Sequence, residues 1–242
     1  MDTVIVIPTL NEAENLVAIG RALLALPVAG LRLLIVDDDS PDGTGRIADE
    51  FAREAAGRVS VLHRRGPHGL GRAYLDGFRQ ALRDGAEAIV QMDADFSHAP
   101  ADVPRLLERL GECDVAVGSR YVTGGSVDHS WQPSRRLLSR WAKVYSRGIL
   151  GFRTQDVTAG FKCWRREALE RVLGERIRSG GYQFQIETAY LCERLGLRVA
   201  EVPILFSERQ AGRSKMNWRV KLEAAVGVFR ILVWHRRVGP GR

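Results

Sequence analysis

Arg32-Leu33-Leu34-Ile35-Val36-Asp37-Asp38-Asp39-Ser40-Pro41-Asp42-Gly43-Thr44 decides how this chain is read. The run from 32 to 36 is short, aliphatic and bounded by polar residues, the pattern of a strand buried on both faces. It ends at three consecutive acids. Asp42-Gly43 then marks a turn, and Thr44 to Ala56 has helical periodicity. The same unit of strand, polar loop and helix recurs on both sides. Upstream, Val4–Ile7 is an apolar run ended by Pro8, and Ala13 to Leu26 reads as a helix with Asn11 as a cap near its start. Downstream, Val59–His63 is a third strand. Arg72 to Asp84 is a third helix behind a glycine-rich loop, Ala88–Met92 a fourth strand and Asp114–Gly118 a fifth. This alternation predicts an α/β fold: an open, doubly wound sheet, mostly parallel, with helices on both faces.

Ligands of such sheets gather at the carboxyl ends of the strands. The polar clusters of this chain fall there. Pro8-Thr9-Leu10-Asn11-Glu12 follows the first strand, the acids at 37–39 the second, Asp93-Ala94-Asp95 the fourth and Ser119-Arg120-Tyr121 the fifth. All four should share one rim. The second half is less regular. Residues 122–134 read as a loop. Arg135 to Gly151 reads as a basic helix, Phe184 to Leu195 as another helix, Arg198–Val202 as a strand and Trp218 to Trp234 as the last helix. A catalytic domain over 1–217 is expected, with a nucleotide-binding half to about 121, an acceptor half from about 122, and an amphipathic helix and tail at 218–242.

The bulk numbers narrow the function. With 242 residues, 45% of them apolar, the chain can bury a large core. Its formal charge of +7 suits an anionic partner: nucleic acid, a membrane surface or a phosphorylated substrate. Cys113, Cys163 and Cys192 have neither zinc spacing nor a disulfide framework, and read as buried thiols in a reducing cytosol. The chain opens on a strand-like run after Met1, with no basic segment followed by an apolar stretch, so no signal peptide is expected. No run of about 18 uncharged apolar residues occurs, so no transmembrane domain is expected either.

Asp93 and Asp95 stand two apart at a strand end, which puts their side chains on one side. Two adjacent carboxylates repel unless a cation or proton lies between them. Mg²⁺ or Mn²⁺ suits such an oxygen site; a solvated acidic turn is the other reading of the spacing. One of the acids at 37–39 can accept hydrogen bonds from a base or ribose, while Asp39, Ser40 and Asp42 suit a turn and a helix cap. Gly66-Pro67-His68-Gly69-Leu70-Gly71 lacks the Lys-Ser/Thr of a P-loop and the dinucleotide fingerprint, which argues against an ATPase or an oxidoreductase. No RNA-binding signature supports a nucleic-acid partner.

Taken in order, these motifs resemble the inverting glycosyltransferases of family 2, which have the GT-A fold. The motifs are Pro8-Thr9-Leu10-Asn11-Glu12, the run from Asp37 to Thr44, Asp93-Ala94-Asp95 and Gly118-Ser119-Arg120-Tyr121. Later come Asp156 to Lys162, Phe184-Gln185-Ile186-Glu187 and Arg209 to Lys215. Within the family they resemble the dolichyl- or polyprenyl-phosphate mannosyltransferases, over nearly the whole chain. The resemblance implies transfer of mannose from GDP-mannose to dolichyl or polyprenyl phosphate with inversion. The nearest alternative is the same transfer from UDP-glucose or another nucleotide-sugar. It implies that Pro8, Leu10, Glu12, Val36 and Asp38 line the nucleoside pocket. Asp93, Ala94 and Asp95 meet the sugar diphosphate. Asp93, Asp95 and Ser97 hold the metal, Mg²⁺ or Mn²⁺. Asp95, Arg120, Arg209 and Lys215 carry the catalysis, the last three on phosphates, and Arg135, Gln185, Glu187 and Ser214 meet the acceptor. Leu10 stands where relatives often have an aromatic residue, and Ser97 where they often have Gln.

A polyprenyl chain does not dissolve in water, so some surface has to reach a bilayer. The basic helix from Arg135 and the stripe Trp218, Leu222, Val226, Phe229 and Val233 are the two candidates. The chain is expected at the cytosolic face of a membrane, held peripherally or through a separate anchoring protein.

Overall fold

The computed structural model describes residues 1–128, 145, 147–181, 183–207 and 227–239. β1 (Thr3–Thr9), α1 (Leu16–Leu24), β2 (Leu31–Asp37), α2 (Thr44–Glu54), β3 (Val59–His63), α3 (Leu70–Arg83) and β4 (Ala88–Gln91) come first. A 3₁₀ turn at Pro100–Asp102 then leads into α4 (Val103–Arg109), β5 (Val115–Ser119) and the short β6 (Ser126–Val127). β7 (Lys162–Arg165), α5 (Arg166–Leu173), α6 (Gln183–Arg194), β8 (Val199–Pro203) and β9 (Leu205–Phe206) follow. Residues 227–234 form a last helix, α7.

Seven strands make one sheet in the order β3-β2-β1-β4-β7-β5-β8. β7 runs antiparallel to β4 and β5, and the other pairs are parallel. The expected mixed, mostly parallel α/β sheet is therefore present. From β1 the chain winds outward through β2 and β3, then crosses back to β4 on the other side of β1. That reversal opens a crevice at the carboxyl ends of β1 and β4.

The alternation along β1 builds two cores. Ile5 and Ile7 pack with α1, α2 and α4, while Val4 and Val6 pack on the other face with α3, α5 and α6. Gly77 lets α3 lie close: a Cβ there would meet Val6 Cγ1 at 2.5 Å and Val36 Cγ2 at 2.9 Å. A third cluster joins Val157, Ile186 and Tyr190 to Val228 and Ile231 of α7. α6 is thus covered on all sides, and every residue from Phe184 to Cys192 is buried.

Three local expectations change. Pro8 does not end β1, which continues in register with β2 through Thr9. The β4 pairing stops at Val6, so the missing N–H of Pro8 faces no strand. Asn11 does not cap α1. It sits at φ 59°, and the helix begins only at Leu16. β7 was not anticipated; it is four residues long and opens on a lysine. All three cysteines are buried and free, as expected. Of the two helices expected to meet a membrane, most of 135–151 and residues 218–226 lie outside the described residues.

Candidate active site

The loops after β1 and β2 are stitched together. The Asp38 N–H donates to the Thr9 carbonyl at 2.9 Å, and the Asn11 N–H to Ser40 Oγ at 3.1 Å. The Glu12 N–H donates to Thr44 Oγ1 at 3.0 Å, and the Ala13 N–H to Asp42 Oδ2 at 3.2 Å. Asp42 Oδ1 takes the Thr44 N–H (3.0 Å) and hydroxyl (2.6 Å). Burial pushes the Asp42 carboxyl up, but the bonds from Thr44 and Ala13 outweigh it and hold the group below its usual range. Ser40 and Asp42 therefore serve turn and cap, as their spacing suggested. Asp39 is exposed at φ 56°.

The residues expected at the nucleoside pocket are not equivalent. Pro8, Leu10 and Glu12 lie on the rim, with the Glu12 carboxylate accepting from Asn15 Nδ2 at 3.0 Å. Val36 is fully buried, its side chain packed under Gly77. Asp38 is buried too. Its carboxylate accepts from the Gly69 N–H at 2.7 Å and from the Arg64 guanidinium, which also reaches Asp76 Oδ2 at 2.8 Å. Asp38 thus ties the glycine-rich loop to the end of β2.

The Asp93-Ala94-Asp95 motif leaves β4 at the crevice. Tyr74, buried in α3, donates its hydroxyl to Asp93 Oδ1 at 2.7 Å. Burial, then the Asp93 and Asp95 charges, push the Tyr74 phenol well above its usual value, so it remains a donor. Ala94 packs in the core. Asp95 is buried and accepts the Ser97 N–H at 3.0 Å. His98 stacks on Phe161 at 5.0 Å and meets Phe206 edge-on at 5.2 Å. Burial pulls its pKa down to about 4 despite the Asp95 charge, so the ring is neutral at pH 7.

Among the described residues no three His, Cys, Asp or Glu side chains converge as a ready cation cage. Two carboxylates at a crevice nonetheless suit a Mg²⁺ or Mn²⁺ ion, which keeps open positions for substrate phosphate oxygens and water. The donor set fits a metal that the substrate completes.

Arg120 follows β5. Its Nε and Nη2 fork onto the Asp156 carboxylate at 2.7 and 2.6 Å, its N–H donates there at 3.0 Å, and Nη2 reaches Thr158 Oγ1 at 2.7 Å. Its guanidinium also lies over the Tyr121 and Phe206 rings. Burial alone would push the Asp156 carboxyl up, but Arg120 holds it below its usual range. Asp156 is set in turn by Glu201 on β8, whose Oε1 accepts the Asp156 N–H at 2.9 Å.

Behind Asp93 is a group that sequence reasoning did not single out. Lys162, 1% exposed, extends from β7 to Gln185 Oε1 at 2.7 Å, and Gln91 Nε2 donates to the same oxygen at 2.7 Å. The sequence signal was a lone lysine opening an otherwise strand-like stretch. Glu187, fully buried, accepts the Arg178 N–H (3.1 Å), the Ser179 N–H (2.8 Å) and a bond from His235 Nε2 at 2.7 Å. Burial raises the Glu187 carboxyl, yet these bonds, His235 foremost, bring it below its usual value. The structure thus brings together Asp93, Asp95, Ser97 and Gln185, with Arg120 and Asp156 along the same edge. Arg135, Arg209, Ser214 and Lys215 lie outside the described residues.

The model of glycosyl transferase family 2 matches residues 4–173. The chain is 46% identical over 234 residues to the polyprenol monophosphomannose synthase of Mycolicibacterium smegmatis, covering 96% of this chain and 86% of that one. It is 44% identical over 231 residues to the undecaprenyl-phosphate mannosyltransferase of Micrococcus luteus, covering 95% and 93%. Among solved structures it resembles glucosyl-3-phosphoglycerate synthase of Mycobacterium tuberculosis, in complex with Mn²⁺, uridine diphosphate and glucosyl-3-phosphoglycerate. The TM-score there is 0.66 at 22% identity, covering 99% of this chain and 81% of that one. The chain belongs to glycosyltransferase family 2 and has its GT-A-like fold.

Proposed function

We propose that this chain transfers mannose from GDP-mannose to a dolichyl or polyprenyl phosphate, with inversion and with Mg²⁺ or Mn²⁺. The observation that carries the reading is the pair Asp93 and Asp95 at the β1–β4 crevice, in a chain that matches enzymes named for this transfer along nearly its whole length. The acceptor is a phosphate monoester with a second pKa near ~6, so it is largely dianionic at pH 7 and needs little help from a base. Positioning and charge neutralisation carry the barrier. The acceptor phosphate oxygen attacks the anomeric carbon as the bond to the diphosphate breaks. Asp93 and Asp95, with Ser97, would hold the metal, which when bound neutralises charge on the leaving diphosphate.

In this reading Pro8, Leu10, Glu12, Val36 and Asp38 form or support the nucleoside end, and Arg120, Arg209 and Lys215 bind phosphates. Arg135 and Ser214 stand on the acceptor side. Glu187, held by three donors, positions the 178–179 turn and α7 and is not the base.

No helix among the described residues is long and apolar enough to cross a membrane. On α7, Phe229 (54% exposed), Leu232 and Val233 (62%) face outward beside exposed Arg230, Arg236 and Arg237. We assign this face to a bilayer surface on the cytosolic side, with the arginines at headgroup level. Replacing Phe229 and Val233 with Ser should lower co-sedimentation with anionic vesicles several-fold; undiminished binding would overturn the assignment.

The transfer itself is tested by offering radiolabelled GDP-mannose, UDP-glucose and UDP-N-acetylglucosamine with polyprenyl phosphate and Mg²⁺ or Mn²⁺. Lipid-extractable label from GDP-mannose is expected. Label from UDP-glucose instead would replace the donor, and no label from any of them would overturn the reading.

A further inference from the structure

Lys162 is a buried cation with no carboxylate among its described hydrogen-bond partners. Its Nζ donates to Gln185 Oε1 at 2.7 Å, to the Gln185 carbonyl at 3.4 Å and to Thr188 Oγ1 at 3.3 Å. Burial lowers its pKa to about 8, so it remains mostly protonated at pH 7. An ammonium has only donors to offer, and so requires an acceptor in front of it. The Gln185 amide meets that requirement in one orientation only, with Oε1 towards Lys162. Gln91 Nε2, donating to the same oxygen at 2.7 Å, enforces the same choice. The Gln185 –NH₂ is therefore turned the other way.

What lies that way is Gly160, which carries no side chain to fill the space between the two groups. The position that a Cβ on Gly160 would take is 3.4 Å from Asp93 Oδ2, 3.5 Å from His98 Cε1 and 3.8 Å from Gln185 Nε2. The other Asp93 oxygen accepts the Tyr74 hydroxyl. Around that position stand a carboxylate oxygen, an amide donor and the edge of the His98 ring. An acceptor and a donor side by side suit a hydroxyl group, which both gives and takes a hydrogen bond. They suit a phosphate less, since the Asp93 carboxylate would repel it.

We propose that the space beside Gly160 reads a hydroxyl of the donor sugar through Asp93 and the Gln185 –NH₂, and that Lys162 is the positioning residue that fixes the Gln185 amide for it. This rests on the reading of the chain as a nucleotide-sugar transferase. It adds that sugar recognition depends on a lysine that touches no substrate atom.

The test is a double-mutant cycle on Lys162→Met and Gln185→Ala, read by transfer kinetics and by calorimetric binding of GDP-mannose and of GDP. Each single change should lower kcat/KM and GDP-mannose affinity about tenfold, the worth of one hydrogen bond. GDP binding should stay within about twofold, because GDP has no sugar beside Gly160. With Gln185 already replaced, adding Lys162→Met should cost less than about twofold, because the lysine then has nothing to orient. Gln185→Glu guards against loss of fold. It keeps an acceptor for Lys162 and should melt near the wild type, yet lose GDP-mannose affinity as Gln185→Ala does.

Additive effects of the two changes, or equal losses for GDP and GDP-mannose, would overturn the proposal, as would full GDP-mannose affinity in Gln185→Glu. Should wild type transfer another nucleotide sugar instead, the same cycle with that donor and its free nucleoside diphosphate decides the matter. A wild type that transfers no sugar would overturn the underlying reading instead.

Discussion

The two sides of the catalytic rim are held by different chemistry. On the β1–β2 side, beyond the one buried pair of Asp38 with Arg64, backbone N–H groups of Asn11, Glu12 and Ala13 reach short side chains of Ser40, Thr44 and Asp42. These bonds are partly exposed, and each contributes little alone. On the β5–α6 side, the rim stands on buried polar groups: Arg120 on Asp156, Lys162 on Gln185, and Glu187 on His235. A buried group without its partner is expensive, so this side should fail abruptly where the first loosens gradually. The second side also carries Gln185 and Arg120, which the proposed reaction sets against the donor sugar and its phosphates. Its rigidity is what would hold two anionic substrates in line.

The sharpest way to break this contrast is Glu187→Ala. It strands His235 and two backbone donors in the interior, and should cost about 3–5 kcal/mol of stability by urea or thermal unfolding. A loss below about 1 kcal/mol would make the two sides alike. Acid should probe the same knot. The Glu187 carboxyl lies below its ordinary 4.5 in the folded chain. Around and below that pH the unfolded chain therefore binds more protons than the folded one. The stability Glu187 contributes is present above this range and is lost as pH falls through its folded value. In Glu187→Gln the melting temperature should fall less between pH 5 and pH 3 than in wild type; parallel curves would contradict the assignment. The smallest effect belongs to the first side. Asp42→Ala removes acceptors for the Thr44 and Ala13 N–H groups and should cost about 1 kcal/mol, the usual worth of such a cap.

The same contrast explains what the amino-acid sequence discloses. The first side is local: an apolar run, then Asp, Ser and Gly at turn positions, so strands β1 to β5 and their loops are legible within a few residues. Even there Pro8 misleads, because a proline tolerates a strand wherever its neighbour has already ended. The second side depends on partners far apart along the chain. Glu187 meets His235 48 residues on, and Gln91 meets Gln185 94 residues on. No periodicity signals such pairs. β7 is hidden for the same reason, since its antiparallel seat between β4 and β5 is set by the sheet and not by its four residues. The motifs did single out Asp93, Asp95, Arg120 and Gln185. They did not show that Arg120 is forked onto Asp156, or that a lysine stands behind Gln185.

The most direct test sets wild type beside Asp95→Ala, each given labelled GDP-mannose, polyprenyl phosphate and divalent metal, with melting curves recorded in parallel. The proposed mechanism predicts lipid-extractable mannose from wild type, and a loss of about 10²–10³-fold or more in the variant at near-unchanged melting temperature. Undiminished transfer by Asp95→Ala would contradict it.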